Sequence, residues 1–299
     1  MGTKDVKLNG NQLPIREFKL DWMVEDPSIC MVAKRGSGKS YVCRALLKHF
    51  KENLPGGIII APTDKMSSFY GDFFPELYIH YEYSSEIIEN VLYRQSKIIE
   101  KADEKKKLGK RVNPHAFILM DDCLSSKGTW MNDKPILDIF FNGRHYKLMF
   151  ILTMQFPLGI RPELRANFDY IFLLAEDFYS NQKRIYDHYA GMFPNFEAFR
   201  QVFLQLTDSF GSMVIVNRGQ RKTLLDKVFW YKAGDDKIDV MGNKQFNDFH
   251  KRNYDKNWKF KNKQFDFNKF AENKKKGRIV VEKVESNNGN NNNNNNNNN

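Results

Sequence analysis

The run Ala33-Lys34-Arg35-Gly36-Ser37-Gly38-Lys39-Ser40 carries the strongest chemical signal in the chain. A short apolar stretch, Ile29 to Val32, precedes it, and an apolar-periodic stretch from Tyr41 to Leu47 follows. That strand–loop–helix setting is what a phosphate-binding loop requires. Small residues let several backbone N–H groups curl around a polyphosphate, and the following helix N-terminus adds its positive dipole end. Lys39 would reach the β- and γ-phosphates, and the Ser40 hydroxyl would help hold Mg²⁺. Ala33 stands where the consensus pattern has its first glycine.

A second constellation completes the chemistry. Phe117-Ile118-Leu119-Met120 is an apolar strand that ends in two carboxylates, Asp121 and Asp122. Asp121 is placed to hold the Mg²⁺ shell, and Asp122 to polarise an attacking water. The next apolar run, Leu148 to Thr153, ends at Gln155, an amide positioned to sense the γ-phosphate or the lytic water. Arg144, Arg161 and Arg165 flank that strand. A guanidinium donated from a neighbouring subunit would stabilise charge on a transferring phosphoryl group. Arg165 is the first choice for that role, with Arg161 beside it.

These groups converge only if the right elements carry them. Strands are expected at about 29–34, 58–61, 116–120, 148–153 and 170–174, alternating with helices at about 39–52, 84–108, 135–146 and 161–167. Helices at 180–191 and 195–206 lead to two late strands, 212–216 and 227–231, which read as antiparallel. Alternating strands and helices give a three-layer α/β fold around a central, mainly parallel sheet. Right-handed crossovers then put the loops after each strand on one edge, where ligands bind. Ser40, Asp121, Asp122 and Gln155 should meet there.

The organisation follows from composition. Residues 1–27 read as an N-terminal lead-in broken by Pro14 and Pro27, and residues 28–240 as the catalytic α/β domain. Residues 241–286 hold thirteen Lys/Arg against six Asp/Glu, interleaved with aromatics, which suits either nucleic acid or a docking arm. Residues 287–299 are a disordered asparagine-rich tail. The whole chain has 299 residues and a formal charge of +11, a surplus that favours a polyanionic partner. Three cysteines with no metal-ligand spacing read as reduced thiols of an intracellular protein. No apolar run approaches the roughly 20 residues that span a bilayer, so no membrane insertion is expected.

Five segments in this order, AKRGSGKS (33–40), IIIAPT (58–63), FILMDDC (117–123), NGRHYKLMFILTMQFP (142–157) and RPELRANFDYIFLL (161–174), resemble the genome-packaging ATPases of nucleocytoplasmic large DNA viruses. These belong to the FtsK/HerA branch of P-loop motors. The resemblance implies a RecA/FtsK-HerA-like P-loop NTPase that uses ATP and Mg²⁺ to translocate double-stranded DNA into a preformed capsid. It implies a homo-oligomeric ring with ATP sites between subunits, capsid or portal components as candidate partners, and action in the host cytoplasm or association with the virion. It also implies Asp121 and Asp122 as metal and base residues, Gln155 as sensor, and an arginine of the 161–165 region acting in trans. Many motors of the superfamily have Glu where this chain has Asp122. Two alternatives stand beside this reading: another P-loop enzyme, helicase or nucleotide kinase, with residues 101–111 as a lid, and a non-enzymatic DNA-binding protein.

Overall fold

The computed structural model describes residues 2–123 and 129–257. One compact unit spans Met1–Tyr254; a second begins at Asp255, with only residues 255–257 of it described. The remaining residues of the basic aromatic segment and the asparagine tail lie outside the described residues.

Strands β3 (Ser28–Val32), β4 (Gly57–Ile60), β6 (Ala116–Asp121) and β7 (Leu148–Met154) are almost continuously apolar and buried. Such runs belong in a parallel sheet covered on both faces. With β5 (Ile79–His80), β8 (Tyr170–Leu173), β9 (Gly211–Val216) and β10 (Val228–Lys232) they build an eight-stranded sheet in the order β10-β9-β8-β3-β7-β6-β4-β5. The pairs from β8 through β5 are parallel. The last two, β8–β9 and β9–β10, are antiparallel, as the late strands were expected to be.

Alternate residues of each strand feed two separate cores. Cys30, Ile118 and Leu152 face one layer, which contains α3 (Ser85–Lys107), α4 (Lys134–Asn142), α6 (Tyr179–Tyr189) and α7 (Phe196–Leu206). Met31, Leu119 and Ile151 face the other, formed by α1 (Lys39–Phe50) and the aromatic residues Tyr70, Phe73 and Phe74. The result is the three-layer α/β arrangement with a mainly parallel sheet.

Two boundaries differ from the expectation. Residues 1–27 are more than a lead-in: β1 (Thr3–Leu8) and β2 (Asn11–Arg16) form an antiparallel hairpin. Asn9 and Gly10 both have positive φ at its turn, the pattern an Asn-Gly hairpin favours. Val6 and Ile15 are fully buried in the α3–α7 core, and Gln205 of α7 binds the Lys7 backbone N–H and C=O at 2.9 Å each. The unit also continues past residue 240. Met241 is buried, and Phe246 on α9 (Lys244–Asn253) stacks on Tyr78 with ring centroids 3.8 Å apart. Residues 241–254 therefore pack on the sheet edge near β4 and β5, as the docking-arm alternative has it for this part of the segment.

Candidate active site

The phosphate loop runs from the end of β3 to the start of α1. Gly36 (φ 79°) and Gly38 (φ 96°) hold the left-handed conformations that turn the chain. Gly38 is the N-cap of α1 and no side chain caps that helix, so its first N–H groups stay available to an anion. Ala33 is buried, and its N–H donates to the Met154 carbonyl at 2.9 Å, which ties the loop to β7. The Ser37 hydroxyl donates to the Lys34 carbonyl at 2.6 Å, Lys34 pairs with Asp177, and Arg35 is exposed. Ser40 lies in the first turn of α1.

Lys39 bridges the two acidic residues. Its ammonium lies 3.0 Å from Asp121 Oδ1 and is paired with Asp122 Oδ2. Burial pushes the ammonium pKa down, but the charges of Asp121 and Asp122 outweigh it, so the net shift is upward and Lys39 stays charged. Asp121, 3% exposed, is held from three directions: Thr153 Oγ1 donates to Oδ1 at 2.5 Å, Tyr70 OH donates to Oδ2 at 3.0 Å, and Lys39 takes the remaining approach. Burial, with the Asp121 charge adding to it, pushes the Tyr70 phenol well above its usual range, which keeps it a proton donor. Asp122 leaves β6 in a left-handed conformation (φ 54°), and its N–H donates to Thr153 Oγ1 at 3.2 Å. Gln155 Nε2 donates to Asp122 Oδ2 at 2.8 Å. Asp122 Oδ1 is buried with no hydrogen-bond partner among the described residues.

The sheet order explains the convergence. β7 lies between β3 and β6, so Gln155 follows the strand directly beside the phosphate loop. Asp121 and Thr153 are paired residues of neighbouring strands. That pairing could have flagged Thr153 from sequence once the strand order was fixed. Tyr70 gave no such signal. It is delivered by the loop after α2 (Asp64–Ser67), where buried Asp64 Oδ1 accepts from Ser67 Oγ at 2.9 Å and from the Tyr70 N–H at 3.3 Å.

The arginines separate. Arg165 is 8% exposed at the end of α5 (Pro162–Arg165), with its guanidinium 5.4 Å from the ring centre of Tyr189 in the same chain. The Arg165 Nε is buried and has no hydrogen-bond partner among the described residues. Arg161 is exposed and pairs with Glu163 at 3.2 Å. Arg144 sits where α4 returns to the start of β7, on the edge opposite the phosphate loop. There it pairs with Asp169, as Arg218 does at 3.4 Å. The 101–111 stretch is on that opposite edge too, since Lys106, Lys110 and Arg111 line a cleft with Pro114 and His115, ahead of β6. It is no lid over the phosphate loop.

The three cysteines are buried, and burial pushes their thiols up, so none is poised as a nucleophile. Among the described residues no helix is long and apolar enough to cross a membrane.

A glycine-turned phosphate loop, an invading lysine and paired strand-end carboxylates on a three-layer α/β sheet define a P-loop ATPase. The chain belongs to the poxvirus A32 protein family, whose profile matches residues 16–174. It is 50% identical over 247 residues to the uncharacterized protein L437 of Acanthamoeba polyphaga mimivirus, covering 83% of this chain and 86% of that protein. It is 36% identical over 204 residues to the uncharacterized protein 075L of Invertebrate iridescent virus 6, covering 68% and 74% of the two chains. Among solved structures it is similar to the genome packaging NTPase B204 from Sulfolobus turreted icosahedral virus 2 in complex with AMPPCP. That match has 15% identity and a TM-score of 0.46, over 71% of this chain and all of the other.

Proposed function

We propose that the protein hydrolyses ATP to move viral double-stranded DNA into a capsid, working as a homo-oligomeric ring. The observation that carries the catalytic part is the Lys39 bridge between Asp121 and Asp122, with Gln155 on the second carboxylate. It supports reading Lys39 as the phosphate-binding lysine, Asp121 as the metal-site carboxylate and Asp122 as the base.

When a triphosphate occupies the loop, Lys39 turns from the carboxylates to the β- and γ-phosphate oxygens. The carboxylates then carry two negative charges without their cation. Asp121 and Ser40 fit Mg²⁺: two hard oxygen donors at the loop's edge, one fixed by Tyr70 and Thr153. Bound there, Mg²⁺ would neutralise charge on the phosphates. Asp122 Oδ1, buried and unpartnered, is the base that accepts a proton from the attacking water. Attack at the γ-phosphorus breaks its bond to the bridging oxygen and leaves ADP and inorganic phosphate. Gln155 orients the water and registers the loss of the γ-phosphate. Left-handed backbone is tolerated by Asp better than by most residues, which suits the shorter carboxylate at 122 to this turn.

The trans arginine comes from the 161–165 region, with Arg165 the first choice and Arg161 beside it. Exposed Phe156 and Phe178, on the loops after β7 and β8, and Tyr179 at the start of α6 support a neighbouring subunit at this edge. The +11 charge supports DNA as the moved polymer. Host cytoplasm, virion association and capsid or portal contacts complete the reading.

The test is phosphate release by the full chain with and without linear duplex DNA, beside displacement of a third strand from a duplex track. DNA-stimulated hydrolysis with displacement of the third strand, and no separation of the duplex, is expected. A phosphorylated acceptor instead of free phosphate would replace this reading with a kinase, and duplex unwinding with a helicase.

A further inference from the structure

The catalytic cluster uses the side of the phosphate loop that faces β6 and β7. Beside the loop lies a cavity of about 590 Å³ whose walls include Gly38, Ser40, Tyr41, Phe69 and Phe210. None of the three aromatics takes part in the hydrolytic chemistry. Tyr41, directly after Ser40, and Phe210 are 45% and 65% exposed, large apolar rings left open to solvent beside a polar site.

The rings are held in place. Tyr41 and Phe69 lie with centroids 6.0 Å apart. The Arg44 guanidinium supports both at 4.7 and 5.4 Å and is itself anchored on Asp235 at 2.7 Å. Phe210 lines the same cavity from the connection between α7 and β9. It and Ser209 both have positive φ, 64° and 51°. Two consecutive side-chain-bearing residues in that region are strained, a state found at ligand clamps. The turn is locked, because a Cβ on Gly211 would stand 2.2 Å from the Leu206 carbonyl oxygen. Phe210 thereby lies over the loop, 3.6 Å from where a Cβ on Gly38 would be.

Of the polar side chains around the cavity, Ser67 and Asp235 have partners of their own, and Lys232 is exposed at the wall. Ser67 donates to Asp64, and Asp235 Oδ1 accepts from Arg44. The site presents ring faces rather than prearranged readers of a base edge. A nucleoside hung from phosphates on Gly36–Ser40 is led to Tyr41, the next residue. We propose that this cavity is the nucleobase site, that Phe210 and the Tyr41–Phe69 pair clamp the base by its faces, and that the enzyme accepts adenine and guanine nucleotides alike. The proposal rests on the ATPase reading, which puts the phosphates on the loop. Face stacking tolerates any purine, whereas strong discrimination needs hydrogen bonds to the base edge. Pyrimidines, with one ring, bind more weakly.

The experiment measures KM and kcat for ATP, GTP and CTP, and direct binding of a fluorescent ATP analogue labelled on the ribose. It uses the full chain and its Tyr41→Ala, Phe210→Ala and Phe210→Trp variants, with Tyr93→Ala, an exposed aromatic far along α3, as control. ATP and GTP should agree in KM within about threefold, with CTP about tenfold higher. Each alanine variant should raise KM and weaken analogue binding about tenfold while kcat moves little, and Phe210→Trp should restore both. A GTP KM thirtyfold or more above that of ATP, or unchanged analogue binding in both alanine variants, would overturn the clamp. If no nucleotide is hydrolysed the ATPase reading fails by itself, and the binding series still decides the clamp.

Discussion

Two buried carboxylate clusters sit at opposite edges of the same sheet, and they are built with opposite charge balance. At the phosphate loop one cation, Lys39, serves two carboxylates, and one carboxylate oxygen, Asp122 Oδ1, is left over. At the far edge one carboxylate, Asp169, serves two guanidiniums, Arg144 and Arg218, and its second oxygen accepts the Ser28 N–H at 3.0 Å. The first cluster carries a surplus negative charge and an unmet acceptor. The second has every carboxylate oxygen engaged and ties together the starts of β3, β7 and β8. The incomplete cluster can take up a further cation or donor, as the proposed site requires; the closed one holds strands together.

Substitutions can break that contrast. Lys39→Ala should abolish hydrolysis, with a loss beyond about 100-fold in phosphate release. It should also lower stability by about 3 kcal/mol in denaturant melts, because two buried carboxylates lose their counter-charge. Asp169→Ala should affect stability alone. Stability should fall by about 2 kcal/mol, less than for a fully buried pair because both guanidiniums are half exposed. Hydrolysis per folded molecule should hold.

Tyr70→Phe sharpens the picture of the first cluster. It removes one hydrogen bond to the metal-site carboxylate while keeping the buried ring. The Mg²⁺ concentration for half-maximal hydrolysis should rise roughly tenfold, the loss of one hydrogen bond to a charged group. Activity at saturating Mg²⁺ should stay within a few-fold. A fall in that maximum without a change in Mg²⁺ dependence would mean that Tyr70 acts on something other than Asp121.

The smallest effect belongs to the far edge. His115 Nδ1 lies 2.7 Å from Asp26 Oδ1, and that hydrogen bond raises its pKa against the opposing effect of burial. A raised histidine stabilises the fold below its unfolded pKa and loses that contribution as pH rises through the folded value. Stability should therefore drop by up to about 1 kcal/mol between pH 6 and 8. In His115→Asn that slope should vanish, which urea melts across the range would show.

Much of this architecture was legible in the residues. The apolar runs ending at Val32, Asp121 and Met154 are buried on both faces of the sheet, so no other element type could absorb them, and their order set the edge where Lys39, Asp121, Asp122 and Gln155 meet. What was not legible depends on contacts far apart in sequence. Val6 and Ile15 gain their meaning only against α7, some 190 residues on. Tyr70 reads as one more aromatic in a Phe/Tyr-rich stretch until the loop after α2 brings it to Asp121. The contact between the Arg165 guanidinium and the Tyr189 ring likewise joins elements that sequence spacing does not pair. Phe210 shows its role only through the left-handed turn that lays it over Gly38.

The central claim is that the incomplete cluster is the hydrolytic one. Steady-state phosphate release from ATP by the full chain with duplex DNA, compared with Asp122→Asn and Asp169→Asn at equal folded concentration, tests it most directly. The expected result is a loss of 100-fold or more for Asp122→Asn, in the range for removing a general base, and parent-like release for Asp169→Asn. Release by Asp122→Asn at the parent rate would contradict the assignment.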